Sequence, residues 1–142
     1  MPHLPPGKPI VVDANIVFAA FIRDGATREL ILDRGLDLRS PPWLWDEVAA
    51  RYAWLREKSA LSPPVLDELL RQIRTRIADV PEELILAHKT EAMKRAGKSG
   101  TKDAPYIAAV LAVQGVLWTH DEQLARDGRI ETVTTKELLD PD

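Results

Sequence analysis

The beginning of the chain reads IVVDANIVFAAF over residues 10–21. The β-branched run at residues 10–12 is typical of a short strand buried in a parallel sheet, and it ends directly at Asp13. A helical pattern starts at about Asn15. Ligands of open α/β sheets bind beyond the carboxyl ends of the strands, so this order places Asp13 at a candidate binding edge.

The rest of the chain alternates between short strands and helices. Further strands are predicted at residues 36–39, 116–119 and 131–134. Helices are predicted at residues 27–34, 42–58, 62–77, 81–97, 102–114 and 122–126, with a last helical turn at 136–139. Short parallel strands joined by helices predict an α/β fold, a three-layer sandwich in which a parallel sheet of about four or five strands lies between helices. We expect one domain over residues 10–142, preceded by a loose, proline-rich leader over residues 1–9.

The composition excludes several classes of site. None of the 142 residues is cysteine, which excludes disulfides, thiolate zinc sites and cysteine nucleophiles and is compatible with a reducing cytoplasm. The longest apolar run, near residues 104–113, is far shorter than the roughly 20 residues of a membrane span, so no membrane partner is expected. The net charge of −3 argues mildly against a nucleic-acid partner unless a basic surface is local.

Three acidic residues are predicted to meet at one edge of the sheet. Asp13 and Asp121 each follow a predicted strand, and the carboxyl ends of parallel strands share one edge. Asp103 opens the helix of residues 102–114 and lies one turn before Ile107, which is on the buried face of that helix. The positive end of the helix dipole favours the charged form of Asp103.

Glu47 is the fourth candidate, on the helix predicted after the second strand. The buried stripe of that helix consists of apolar residues at helical spacing, namely Leu44, Val48, Tyr52 and Leu55. Glu47 lies beside this stripe and can reach the sheet edge. Its neighbour Asp46 is about 100° away around the helix, so the two cannot both point inward.

Four clustered carboxylates repel one another and would raise each other's pKa values. A hard divalent cation removes that conflict, and Mg²⁺ or Mn²⁺ takes oxygen ligands of this kind. The lack of cysteine and the scarcity of histidine argue against zinc. Such a metal can lower the pKa of a bound water and orient the resulting hydroxide, and a second ion about 4 Å away could stabilise the leaving oxygen.

Four segments resemble the motifs of the PIN domain, a family of metal-dependent ribonucleases found in many toxin–antitoxin pairs and RNA-processing factors. The segments are VVDANIVF with Asp13, PPWLWDEV with Glu47, KDAPYIAAVLA with Asp103, and LWTHDEQL with Asp121. They occur in order and cover residues 10–134, nearly the whole chain. Pro105, close behind Asp103, departs from the family pattern and is tolerated only in the first turn of a helix.

The resemblance implies a specific activity and set of partners. All four acids would be catalytic metal ligands for Mg²⁺ or Mn²⁺, and the substrate would be RNA. Asn15 and Thr119 would not bind the metal themselves but would orient the carboxylates that do. Homodimers are common in the family, and a toxin role would add an antitoxin protein as partner. Because the overall charge is acidic, substrate contacts are expected from basic residues near the edge: Arg23, Lys98 and Lys102, with Arg28 and Arg51 as further candidates.

Other interpretations of these residues remain open from sequence. A phosphatase of the haloacid dehalogenase type also begins with an aspartate after its first strand, but it needs a second acid where Asn15 stands. A nucleic-acid-binding module that has lost most of its turnover is the other alternative. His120 lies between Thr119 and Asp121, so its side chain is expected to point away from the site. The aromatic residues Trp43, Trp45, Tyr52 and Trp54 can stack on bases, although core or dimer contacts are more typical at helical spacing.

Overall fold

A computed structural model describes residues 7–22, 25–97, 102–127 and 130–140. Within these ranges, five short strands form one parallel sheet. The strands are β1 (Ile10–Val12), β2 (Leu38–Ser40), β3 (Ile77–Asp79), β4 (Val116–Trp118) and β5 (Thr132–Val133). Their order across the sheet is β3-β2-β1-β4-β5, and every neighbouring pair is parallel. The predicted α/β fold with a parallel sheet is therefore confirmed.

Helices connect the strands and cover the sheet. They are α1 (Ala14–Ile22), α2 (Gly25–Asp33), α3 (Leu44–Ala50), α4 (Tyr52–Ser59), α5 (Pro63–Arg76), α6 (Glu82–Ala87), α7 (Lys89–Ala96), α8 (Ala104–Val113), α9 (Glu122–Asp127) and α10 (Thr135–Leu139). One group of mutually packed helices contains α1 to α5 and α10, and the other contains α6 to α9. Two helix groups around one sheet make a three-layer arrangement.

The strand order creates one topological switch point. The chain starts in the central strand β1, moves outward through β2 and β3, and then returns to β4 on the other side of β1. Connections therefore leave the carboxyl ends of β1 and β4 in opposite directions, which opens a crevice between them. Asp13 and Thr119 are the first residues beyond these two strands.

The core is built around the same two strands. Val11, Val12, Leu117 and Trp118 are completely buried, which is typical of parallel strands covered on both faces. A side chain at Gly115 would collide with the carbonyl of Pro9, so only glycine permits β4 to begin this close to the segment before β1. The buried centre of the sheet therefore fixes the positions of the residues that follow β1 and β4.

Two predicted helices are each divided in two. The helix predicted over residues 42–58 breaks at Arg51 into α3 and α4, and the one predicted over 81–97 breaks at His88 into α6 and α7. Both residues have φ near −105° to −109° and ψ between 9° and 17°, outside the helical range. Strand β3 was also missed, because residues 62–77 were predicted as helix and nothing was predicted directly after them.

The segment before β1 is attached to the sheet from Lys8 onward. Lys8 forms an ion pair of 3.1 Å with Glu131, and the carbonyl of Pro9 accepts a hydrogen bond from the amide of Val116. The first six residues of the predicted leader lie outside the described residues. Among the helices of the described ranges, none is long and apolar enough to cross a membrane.

Candidate active site

A pocket of about 210 Å³ opens at the carboxyl ends of β1 and β4. The predicted acids Asp13, Glu47, Asp103 and Asp121 all line it, together with Asn15, Phe18, Arg51, Lys102 and Tyr106. Glu47 comes from α3, Asp103 from the start of α8, and the other two acids follow the central strands. The fold therefore brings together four carboxylates that are spread over more than a hundred residues of sequence.

Asp13 is held in place from two sides. Its Oδ1 accepts a hydrogen bond of 3.1 Å from the amide of Ile16 in the first turn of α1, and its carboxylate is also hydrogen-bonded by the hydroxyl of Thr119. Burial raises the pKa of Asp13 above its usual value, and the nearby charge of Asp103 raises it further. The two hydrogen bonds and the charge of His120 lower it again. The ionised form of Asp13 is thus costly, which is the electrostatic condition that a nearby cation would relieve.

Asp103 occupies the position just before α8. Its carbonyl accepts the amides of Tyr106 and Ile107 at 3.1 and 3.2 Å, so the backbone of Asp103 closes the first turn of the helix. Pro105 lies within that first turn, where the missing N–H costs no helical hydrogen bond. The departure from the family pattern at Pro105 therefore does not displace the half-buried Asp103 from the pocket.

Glu47 is held by a residue that the sequence did not indicate. The hydroxyl of Tyr106 donates a hydrogen bond of 3.0 Å to Oε1 of Glu47. Tyr106 is only 5% exposed, and both burial and the charge of Glu47 raise the pKa of its phenol. Tyr106 lies three residues after Asp103 and so on the same side of α8, which is the sequence signal that could have identified it.

Thr119 links two of the acids. Its buried hydroxyl bonds the carboxylate of Asp13 and accepts a hydrogen bond of 3.1 Å from the amide of Asp121. Asp121 in turn accepts a hydrogen bond of 3.0 Å from the amide of Leu124 through its side chain, so it caps the amino end of α9. Asp121 is exposed, unlike the half-buried Asp13 and Asp103. It therefore stands at the outer margin of the pocket.

The predicted substrate contacts have different placements. Lys102 is exposed and lines the pocket, as does Arg51. Asn15, which was predicted to orient a carboxylate, is also exposed and lines the pocket. Arg23 and Lys98 lie outside the described residues. Arg28 does not line the pocket, because its guanidinium donates to the carbonyls of Ala20 and Phe21 at the end of α1.

Several other polar and aromatic side chains do not line the pocket. Asp46 is exposed and does not line it. The Nε2 atom of His120 lies 2.7 Å from the hydroxyl of Thr135, on α10. Trp45 is buried in the core, and Trp43 and Tyr52 pack against the core while half-buried.

A comparison with protein families identifies the family to which the chain belongs. The sequence profile described as the PIN domain matches residues 11–140. The chain belongs to the PIN domain family. Members of this family are generally nucleases, which are hydrolases that typically use divalent metals. No curated protein shows significant similarity to the sequence.

Solved structures share the fold of this PIN domain. A chain in the structure of FitAB bound to an IR36 DNA fragment superposes with a TM-score of 0.61 at 17% identity, covering 89% of this chain and 94% of that one. A chain of VapBC-1 from nontypeable Haemophilus influenzae gives a TM-score of 0.58 at 17% identity, covering 90% of this chain and 98% of that one. At this identity the similarity establishes the fold.

The donor set of the PIN domain fits a hard divalent cation in an open site. Among the residues that the structure describes, no three Asp, Glu or His side chains lie close enough to hold a metal ion by themselves. Mg²⁺ is ordinarily held by one or two carboxylates, with waters and substrate phosphates completing its octahedron. The raised pKa of Asp13, caused first by its burial and also by the charge of Asp103, is the observation that supports a cation at this site.

Proposed function

We propose that this PIN domain is a metal-dependent endoribonuclease that hydrolyses RNA phosphodiester bonds. The observation that carries the proposal is the pocket at the switch point of the sheet, which four carboxylates line. The raised pKa of Asp13 supports it, because a buried carboxylate beside another acid is unfavourable without a cation. An assignment to the PIN family leaves the phosphatase alternative without support.

The chain's own residues would hold and orient the reacting groups. Asp13 and Asp103 supply the central carboxylates for Mg²⁺ or Mn²⁺, and Glu47 and Asp121 flank them. When bound, the metal supplies an activated water and neutralises charge on the phosphate. Thr119 and Tyr106 hold Asp13 and Glu47 in fixed directions, and fixed ligand geometry is what makes such a site efficient. Exposed Lys102, at the rim, is placed to contact a phosphate of the substrate.

A toxin role with an antitoxin protein as partner is a further part of the proposal. FitAB and VapBC-1, whose chains share this fold, are toxin–antitoxin complexes. A small DNA-binding protein encoded directly beside this gene would support the role, and its absence would favour a stand-alone nuclease. We place the activity in the cytoplasm, where the cysteine-free composition is compatible with reducing conditions.

A homodimer is also proposed, and an exposed apolar surface supports it. Leu84, Leu86 and Met93 on α6 and α7 are 44%, 52% and 40% exposed. The last two border a cavity of about 500 Å³ that also contacts Trp43 and Pro105. An exposed apolar surface of this kind is typical of a region that another protein covers.

The decisive experiment is an RNA cleavage assay with purified protein and Mg²⁺ or Mn²⁺. We expect cleavage that EDTA abolishes and that Asp13→Asn reduces strongly. Asp33→Asn, which changes an exposed aspartate at the end of α2, is the matched control and should cleave like the wild type. Cleavage that persists in EDTA and in Asp13→Asn contradicts the metal mechanism. Mn²⁺ binding without any cleavage favours the alternative of a catalytically weak binding module.

A further inference from the structure

A second and larger cavity adjoins the active-site pocket. It measures about 760 Å³ and shares Asn15, Phe18 and Arg51 with the pocket. Helix α1 lines it through Ala19 and Ile22, and α2 lines it through Ala26 and Thr27. Trp54 of α4 and Thr135, Lys136 and Leu139 of α10 complete the lining, so the cavity is a groove that adjoins the acidic site and extends along α1.

The charge of this groove is opposite to that of the pocket. Arg51, directly before α4, and Lys136, on α10, both line the groove, and both are exposed. Among the described residues, no aspartate or glutamate lines the groove, although the chain contains 22 acidic residues and has a net charge of −3. The local basic surface that an acidic nuclease needs is therefore present directly beside the four carboxylates.

The guanidinium of Arg51 packs against two aromatic rings. Its Cζ lies 4.7 Å from the ring centroid of Trp54 and 5.2 Å from that of Phe18, and these two rings meet edge to face at 75°. Stacking occupies the faces of a guanidinium and leaves its N–H groups at the edge for a phosphate. Because Arg51 borders both cavities, a phosphate held there would lie between the acidic site and the groove.

We propose that this groove binds the nucleotides of single-stranded RNA that flank the bond to be cut. This inference rests on the proposed ribonuclease function and names where its substrate lies. Arg51 and Lys136 contact backbone phosphates, and Trp54 offers its indole to an unpaired base. The exposed His120 and the half-buried Thr135 lie beside Lys136 and offer polar contacts to sugar or base edges. A single strand fits because paired bases cannot stack on side chains.

RNA suits this groove better than a segment of a protein partner. The groove is continuous with a site proposed to act on a phosphodiester, so a strand positioned for cleavage must leave the pocket along some path. This path combines the cations of Arg51 and Lys136 with the aromatic side chain of Trp54. That combination is how proteins hold single-stranded nucleic acid.

The test measures RNA binding by fluorescence anisotropy in an Asp13→Asn background, which strongly reduces cleavage during the measurement. The probe is a labelled single-stranded RNA of twelve nucleotides, with Mn²⁺ present. Arg51→Gln and Lys136→Gln should each weaken binding about five-fold at 0.1 M salt and lower the slope of log affinity against log salt by about 0.7. Trp54→Leu should weaken binding about ten-fold without changing the salt slope. Arg76→Gln, at an exposed position of α5 outside both cavities, is the matched control and should change neither.

Two further probes locate the effect in the groove. A dinucleotide is too short to extend far from the pocket, so Lys136→Gln should not alter its binding. A duplex of the same sequence should compete poorly with the single strand. Thermal unfolding of each variant shows whether it is folded. Lys136→Gln changes only an exposed side chain, so the test remains decisive if Trp54→Leu is unstable.

The outcomes separate this inference from the proposed function. If Arg51→Gln and Lys136→Gln bind the twelve-nucleotide RNA as tightly as their parent, the inference is overturned and a protein segment is the remaining occupant. The same holds if the single strand is not bound at all. If the wild type cleaves RNA but binding does not depend on Arg51 or Lys136, only the inference about the groove is overturned and the nuclease function stands. Binding that depends on Arg51 and Lys136 without any cleavage supports the groove and contradicts the nuclease.

Discussion

The hydroxyl of Tyr106 lies 3.0 Å from Oε1 of Glu47, and this hydrogen bond joins α8 to α3 across the active-site pocket. Burial and the charge of Glu47 both raise the pKa of Tyr106, so the phenol keeps its proton at neutral pH and acts as the donor. Glu47 is thereby held toward the pocket. A flexible glutamate would otherwise sample several rotamers at the surface of a helix.

Replacing this tyrosine should loosen the metal site while preserving the fold. We expect Tyr106→Phe to weaken Mn²⁺ binding and to reduce cleavage about 10- to 100-fold, as removal of a group that orients a metal ligand typically does. The ring remains, so unfolding should become easier by only about 1 kcal/mol. Titration calorimetry with Mn²⁺ measures the first effect and denaturant unfolding the second.

A second tyrosine provides the control for this substitution. The hydroxyl of Tyr52 donates to Asp67 on the surface, outside the pocket, so Tyr52→Phe removes the same type of hydrogen bond. It should leave Mn²⁺ affinity and cleavage unchanged. If Tyr106→Phe behaves like Tyr52→Phe in both measurements, Tyr106 has no positioning role.

The convergence of the four acids could be predicted because each follows from a local rule. A strand that ends in an acid places Asp13 at the sheet edge, and helical spacing separates Glu47 from Asp46. The structure agrees with both placements, since Glu47 lines the pocket and Asp46 is exposed outside it. Tyr106 was missed because a tyrosine in an apolar helix ordinarily indicates core. Its hydroxyl finds a partner that is 59 residues away in sequence.

The parts of the fold that were missed depend on tertiary contacts. Strand β3 has the sequence IAD with two exposed residues, so it shows no hydrophobic pattern, and only its pairing with β2 makes it a strand. The helix breaks at Arg51 and His88 involve neither glycine nor proline. The helix break at Arg51 occurs where the side chain of Arg51 stacks on Phe18 and Trp54, and no sequence pattern predicts that packing.

The buried hydroxyl of Thr119 is predicted to be essential for the geometry of Asp13. Thr119→Val keeps the shape of the side chain but removes its bonds to the Asp13 carboxylate and to the amide of Asp121. We expect a loss of about 1–3 kcal/mol in stability and a 10- to 100-fold loss of cleavage. Ser40→Ala, which removes another buried hydroxyl outside the pocket, should affect stability alone. Equal cleavage by Thr119→Val and the wild type would refute this role.

Asp13→Asn should make the protein less stable than the wild type when metal is bound, but not when metal is removed. The folded protein raises the pKa of Asp13, so at pH values above that pKa its ionisation opposes folding. Without divalent cation, Asp13→Asn should therefore unfold at the same temperature as the wild type or higher. Mn²⁺ at 100 times its dissociation constant should stabilise the wild type by about 2.7 kcal/mol and the variant much less. Differential scanning calorimetry with EDTA or with Mn²⁺ measures both effects. Equal stabilisation of the wild type and Asp13→Asn by Mn²⁺ would contradict a ligand role for Asp13.

The apolar surface on α6 and α7 should form the contact between two copies of the chain. Leu86→Glu introduces a charge into this surface, and we expect it to convert a dimer into a monomer at micromolar concentration. Val65→Glu is the matched control, because Val65 on α5 is also 52% exposed but does not border the same cavity. Light scattering gives the mass of each protein. A monomeric wild type rejects the dimer, and a dimeric Leu86→Glu variant rejects this surface.

Asp121 combines two roles that a pair of substitutions can separate. Its side chain caps α9 through the amide of Leu124, and its exposed carboxylate stands at the margin of the pocket. Asparagine is an equally good cap, so Asp121→Asn should retain stability while losing the charge, and Asp121→Ala should lose about 1 kcal/mol as well. If the carboxylate takes part in catalysis, both variants lose cleavage to the same extent, and we expect that loss to be smaller than for Asp13→Asn because Asp121 is more exposed. Cleavage that falls only in Asp121→Ala, in parallel with its stability, would show that Asp121 serves α9 alone.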